Sequence, residues 1–357
     1  MSRTYFSGEN EVNYEEEYMK CIRELDDIVH IKTDEDKKEE ILDPKANRFT
    51  LLPIQYPNIW KFHKKQEAAS WQAGEIDYTN EDKHFEELLN EDEKYFIKHI
   101  LAFFASSDGI VNLNIMRNFS KDVTILEAQI AYQFQGMIEN VHSEVYSILI
   151  DTYIKDIEEK HKLFNAIKYM PCIFNKMKWA IKWLKSNDRF AYRVVAFAIV
   201  EGLFFSGSFC AIYWLKQRNP LKALSQANEL IARDEGMHTE FACLLYSMLQ
   251  NKLAEEEVQN MIKEAVTIEK EFICESLPCK MIGMNSDLMC QYIEYVADHL
   301  LGMLGYNKIY NSTNPFIFME MISVDNKTNF FESKTSEYQK SSVINQGKTA
   351  VSFTDDF

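Results

Sequence analysis

Phe134-Gln-Gly-Met-Ile-Glu-Asn-Val-His142 and Glu235-Gly-Met-His-Thr-Glu-Phe241 each set a glutamate three residues ahead of a histidine in apolar surroundings. Residues three apart share one face of an α-helix, so the pairs Glu139/His142 and Glu235/His238 can each reach a single point. A carboxylate and an imidazole buried together need a shared cation or a dense hydrogen-bond network. The same spacing recurs at Glu81/His84 and Glu158/His161, but in charged stretches that read as solvated surface. Two further acids are out of place. Asp108 follows Ile100-Leu-Ala-Phe-Phe-Ala-Ser-Ser107, and Glu201 is the single charge within Ala196–Leu215. Asp108 precedes Glu139 by 31 residues and Glu201 precedes Glu235 by 34, each interval suiting a helix, a connection and part of a returning helix.

The chain as a whole reads as all-α. Its 357 residues include only 11 glycines and 7 prolines, too few for turn-rich β folds or glycine-loop nucleotide folds, and no proline occurs between Asn58 and Met170. Helical periodicity runs from about Tyr56 to Gly305, with Asn80 and Asn90 as N-caps before acidic first turns. Acid then Glu-x-x-His, twice over on four helices, makes a ferritin-like helical bundle with a carboxylate-bridged two-metal site in its core. Its ligands are Asp108, Glu139, His142, Glu201, Glu235 and His238. Oxygen-rich ligation with two imidazoles favours iron or manganese over zinc.

Charge and cysteine usage narrow the partners. A net charge of −16 argues against nucleic acid and anionic membranes. Ala196–Leu215 is long enough to span a bilayer but reads as a central bundle helix, since no second such segment exists. Seven cysteines, an odd number without a CxxC pair, suggest reduced thiols in a cytoplasmic protein. The acidic stretch 1–45 reads as a flexible N-terminal arm, 46–322 as the helical domain, and 323–357 as a polar, flexible C-terminal tail.

The surroundings of the ligands bear on the reaction. Tyr146 lies four residues after His142, on the same helix face. Phe205 and Phe209 follow Glu201 by four and eight, and Ile231 precedes Glu235 by four. A phenol in such a dry pocket is an oxidisable group; taken alone, Tyr146 is more often a core tyrosine with a satisfied hydroxyl.

The strings Ile100-Leu-Ala-Phe-Phe-Ala-Ser-Ser-Asp-Gly-Ile-Val-Asn112, Glu139-Asn-Val-His-Ser-Glu-Val-Tyr146, Val200-Glu-Gly-Leu-Phe-Phe-Ser-Gly-Ser-Phe209 and Asn228-Glu-Leu-Ile-Ala-Arg-Asp-Glu-Gly-Met-His238 resemble the small, radical-generating subunit of eukaryotic class I ribonucleotide reductase. The similarity extends from about Asn47 to the C-terminus, and includes Lys327-Thr-Asn-Phe-Phe-Glu332. The resemblance implies two iron ions in an oxo-bridged centre, with manganese as a substitute. One ion would take Asp108, Glu139 and His142, the other Glu201, Glu235 and His238, with Glu139 bridging. It implies a radical on Tyr146, with Phe205, Phe209 and Ile231 as its apolar pocket. Trp71 and Asp234 would form a long-range electron route through His142, although on their own they read as a core indole and a surface charge. Tyr338 would relay the radical, and Phe353-Thr-Asp-Asp-Phe357 would dock on the large subunit, where ribonucleoside diphosphates are reduced. A homodimer is implied as well. The alternatives are a ferritin-like di-iron oxidase or oxygenase with its own small substrate, and an iron-storage or structural bundle.

Overall fold

Asn90 accepts a hydrogen bond from the Glu93 amide at 2.9 Å, while the Glu93 carboxylate accepts one from the Asn90 amide at 3.0 Å. This reciprocal cap starts a 24-residue helix whose inward face is Phe96, Ile100, Phe103, Phe104 and Asp108. Asn80 behaves differently from the sequence expectation. It adopts a left-handed conformation, φ 62°, and its side chain caps nothing.

The computed structural model describes residues 16, 17, 19, 20, 30–186, 188–218, 221–276 and 278–319. Its principal helices are α1 (Pro57–Ala69), α2 (Glu81–Leu88), α3 (Glu91–Asn114), α4 (Leu126–Tyr153), α5 (Ile157–Phe164), α6 (Pro171–Leu184), α7 (Phe190–Ile199), α8 (Ser206–Lys216), α9 (Lys222–Met248), α10 (Glu255–Lys270) and α11 (Ser286–Leu304). No strand occurs among the described residues. The protein is all-α, and its central layer is a bundle: α4 packs along α3 and α1, and α7 packs along α9.

Helices α7 and α8 form one continuous apolar rod, interrupted by a π-helical turn over Val200–Phe204. The most apolar window of this rod is 94% buried within the protein, which makes it a core helix. A π-turn inserts a residue into the helical register and re-aims the side chains it carries. Glu201 sits in that turn. Similar turns cover Ile115–Phe119, after α3, and Glu271–Ser276, after α10.

Two sequence readings need correction. Residues 33–45, read as part of a flexible arm, are docked on the bundle. Asp36 Oδ1 accepts the Phe190 amide at 2.9 Å, Glu39 accepts the Gln250 and Asn251 amides at 2.7 and 2.9 Å, and Ile41 and Leu42 are buried. Asp36 and Glu39 instead satisfy helix-start and loop amides. Glu81, read as solvated, is buried too. It accepts the Tyr153 hydroxyl and the Ala223 amide, both at 2.8 Å, so it pins α2 to α4 and α9.

Candidate metal centre

Four helical segments bring the six candidate ligands together. Asp108 comes from α3, Glu139 and His142 from α4, Glu201 from the π-turn, and Glu235 and His238 from α9. None of the six is more than 2% exposed. Their donor atoms fall into two groups, each with all atoms within 4.8 Å of one another: Asp108, Glu139 and His142; and Glu139, Glu201, Glu235 and His238. Glu139 belongs to both.

The two imidazoles face the carboxylates through the same atom. His142 Nδ1 is 3.4 Å from Glu139 and 3.1 Å from Glu235; His238 Nδ1 is 2.9 Å from Glu139 and 3.0 Å from Glu235. His142 turns its other nitrogen, Nε2, to Asp234 Oδ2 at 3.2 Å. A carboxylate on the outer nitrogen fixes the ring orientation of a metal-binding histidine. Gln135, one turn before Glu139, donates to Glu201 Oε1 at 3.2 Å.

The electrostatics call for cations. Burial, then the neighbouring acids, pushes Asp108 and Glu201 well above the carboxylate range. Burial disfavours charge on both histidines, yet the acids around them raise His142 well above its usual value and bring His238 to about 9. Asp108 Oδ2 and Glu201 Oε2 lie buried without a hydrogen-bond partner, and the Glu139 oxygens and His142 Nδ1 face only other members of the cluster, an expensive arrangement for polar atoms. A carboxylate-rich set of six with two imidazoles suits divalent iron or manganese at both positions.

Tyr146 lies one turn beyond His142 and is buried. Burial, then the Asp108 charge, raises its phenol pKa well above the usual value. Its ring stacks on Phe104 at 4.8 Å, and Phe104 in turn meets Phe205 and Phe209 at 5.8 and 5.2 Å. Phe104 escaped the sequence reading as a pocket residue, although it precedes Asp108 by one turn, as Gln135 precedes Glu139. Ile231 is fully buried one turn before Glu235. A cavity of about 10 Å³ borders Phe103, Val200 and Phe205, room for roughly one water.

Trp71 and Asp234 are both buried, which agrees with the core-indole reading of Trp71 and overturns the surface-charge reading of Asp234. Trp71 Nε1 donates to Asp234 at 2.6 Å, and the Trp71 ring stacks on His142 at 6.0 Å. Arg233, which the sequence reading did not single out, grips the other Asp234 oxygen at 2.9 Å and donates to the Ala69 carbonyl at 2.6 Å. Tyr338 and Phe353–Phe357 lie outside the described residues.

The family described as ribonucleotide reductase, small chain, matches residues 48–315. The chain is 56% identical to the ribonucleoside-diphosphate reductase small chain of Plasmodium falciparum (isolate Dd2), covering 88% of this chain and 89% of that protein. It is also 56% identical to the ribonucleoside-diphosphate reductase small subunit of Dictyostelium discoideum, covering 87% and 91%. Among solved structures, the ribonucleotide reductase Rnr4 homodimer from Saccharomyces cerevisiae superposes with a TM-score of 0.75 at 36% identity, covering 86% of this chain and 96% of that one. The ribonucleotide reductase R2 subunit from Clostridium botulinum, at 21% identity and a TM-score of 0.73 over 85% and 98% of the two chains, shares the fold.

Proposed function

Because the chain belongs to the family of ribonucleotide reductase small chains, we propose that its six buried ligands hold two iron ions and that Tyr146 is the residue oxidised beside them. The chain is the small subunit of a ribonucleoside-diphosphate reductase, and it serves a large subunit in which ribonucleoside diphosphates become deoxyribonucleoside diphosphates. The observation that carries the site assignment is Glu139, a donor to both ligand groups, on the helix that presents Tyr146. Bound there, the ions supply the redox chemistry with oxygen that removes an electron from the phenol.

The protein's own residues set the conditions for that step. Its raised pKa keeps Tyr146 protonated, so oxidation must release a proton as well as an electron. Among the charged neighbours, Asp108 acts on Tyr146 most strongly. Phe104, Phe205, Phe209 and Ile231 keep water and reductants from the radical. His142, Asp234 and Trp71 form a continuous polar and aromatic route away from the ions.

The helical body, 46–322, carries this site in our reading, while the sequence of the tail, 323–357, supports relay through Tyr338 and docking through Phe353–Phe357 on the large subunit. The solved Rnr4 homodimer supports a dimer of this chain. The free cysteines support a reducing compartment, the cytoplasm.

Iron-loaded, air-exposed protein should give the sharp absorption and organic spin signal of a tyrosyl radical. Tyr146→Phe should keep its metal and lose both signals; a signal that persisted in this variant would place the radical elsewhere.

A further inference from the structure

Away from the metal centre, three thiols converge where the π-turn after α10 meets the start of α11. Cys274 Sγ in the π-turn lies 3.4 Å from Cys290 Sγ on α11, and Cys274 also reaches the Ser286 carbonyl at 3.6 Å. Buried Cys279 faces the Ser286 hydroxyl at 3.8 Å. Cys274 and Cys290 are both partly exposed.

We propose that Cys274 and Cys290 are an oxidation site that takes a small two-electron oxidant of the peroxide class and closes to a disulfide. A disulfide needs a sulfur separation of about 2.05 Å, so closure asks for a shift of only about 1.4 Å along a line the side chains already share. The pair is asymmetric. The hydrogen-bonding contact with Cys274 and the nearby Lys270 ammonium hold Cys290 at about 7 against the opposing effect of burial, whereas Cys274 is pushed well up. Cys290 is therefore the attacking thiolate and Cys274 the thiol that resolves.

The Cys290 thiolate attacks one peroxide oxygen and the O–O bond breaks. Cys290 becomes a sulfenic acid, and the departing oxygen takes a proton to leave as water. Cys274 then attacks the sulfenic sulfur; the S–O bond breaks, and the hydroxyl leaves as a second water with the Cys274 proton. Two thiols lose two electrons and the peroxide gains them. The new bond ties the Glu271–Ser276 turn to α11. Phe272, in the same turn, packs on Phe103 at 4.9 Å, and Phe103 lies 5.6 Å from Phe205, so the link braces the outer wall of the Tyr146 pocket.

The test treats full-length protein, iron-loaded or stripped with chelator, with one equivalent of hydrogen peroxide or of diamide. Free thiols are then alkylated and unreduced peptides are mapped by mass spectrometry. A Cys274–Cys290 linked peptide should form in both metal states and with both oxidants, while Cys172, partly exposed as well, stays alkylated. In Cys274→Ser, Cys290 should be trapped as a sulfenic acid by dimedone, and in Cys290→Ser neither product should form. Oxidation of Cys172 ahead of Cys290, a Cys274–Cys279 link in its place, or a link confined to iron-loaded protein would overturn the proposal.

Discussion

The Trp71 indole donates to Asp234 Oδ2 at 2.6 Å, and that same oxygen faces His142 Nε2 at 3.2 Å. One carboxylate oxygen thus joins an aromatic side chain to a histidine whose other nitrogen points into the ligand cluster. Burial alone would favour protonated Asp234. The Arg233 guanidinium and the hydrogen bonds from His142 and Trp71 overcome it and hold the acid below its usual range, so it stays ionised and accepting.

Asp234→Asn should therefore weaken metal binding by about 10–100-fold, the usual effect of removing the partner that orients a histidine ligand. Trp71→Phe should bind metal like the wild type but reduce nucleotides only at background rate with excess large subunit. Metal titration and a reductase assay separate the two effects. Wild-type turnover in Trp71→Phe would remove the indole from the electron route.

Glu139 serves both donor groups, so its loss should not simply empty half the site. Glu139→Ala should bind well under two equivalents of metal, with neither ion retained through chelation, while Glu158→Ala on the exposed face of α5 stays fully loaded. Metal analysis after gel filtration checks it. Two tightly held ions in Glu139→Ala would dismiss the bridging role.

The sequence was most legible where two spacings coincided. The i, i+3 pairs in apolar surroundings located α4 and α9, and the isolated acids Asp108 and Glu201 located their partners in α3 and the π-turn. What stayed hidden depended on contacts between distant segments. Glu81 reads as solvated because its neighbours are charged, yet its partners are Tyr153 and Ala223, far along the chain. The π-turn at Val200–Phe204 has no marker in a uniformly apolar run. Lys176 sits in a segment that reads as an ordinary amphipathic helix, and only tertiary packing buries it.

That lysine gives a stability prediction. Lys176 Nζ pairs with Glu269 at 2.6 Å, both fully buried, and lies over the rings of Phe103 and Phe272 at 3.8 and 4.0 Å. It also donates to the Phe204 carbonyl at the end of the π-turn. Lys176→Met should cost about 3–5 kcal/mol by stranding Glu269, while Lys176→Met with Glu269→Leu should recover most of that loss. Gly207→Ala should cost about 1–3 kcal/mol, because a Cβ there would meet Glu269 Oε1 at 2.7 Å and that carboxylate is pinned by Lys176. Urea denaturation of these variants and of Glu269→Leu alone measures the costs, and strictly additive single and double variants would show that the pair is not coupled.

His99 on α3 predicts how stability falls in acid. Its Nδ1–H donates to the Tyr95 carbonyl at 2.7 Å and its ring lies 3.8 Å from that of Tyr95. Burial, aided by the Lys98 charge, lowers its pKa from 6.5 to about 4, against the hydrogen bond to Tyr95 and the Glu159 charge. An unfolded chain takes up this proton near pH 6.5, whereas the folded protein resists it until about 4. Between those values the unfolded state holds more protons, so stability must rise with pH across the window. The contribution is complete above pH 6.5 and is lost as pH falls through 4. His30, His63 and His299 are lowered as well and act in the same direction, so the informative quantity is a difference. His99→Gln keeps an N–H for the Tyr95 carbonyl but does not titrate. Its unfolding free energy should change less steeply between pH 4 and 6.5 than that of the wild type. One proton limits the difference in slope to about 1.4 kcal/mol per pH unit. Parallel curves for the two proteins would mean that His99 is protonated as readily in the folded bundle as in the open chain.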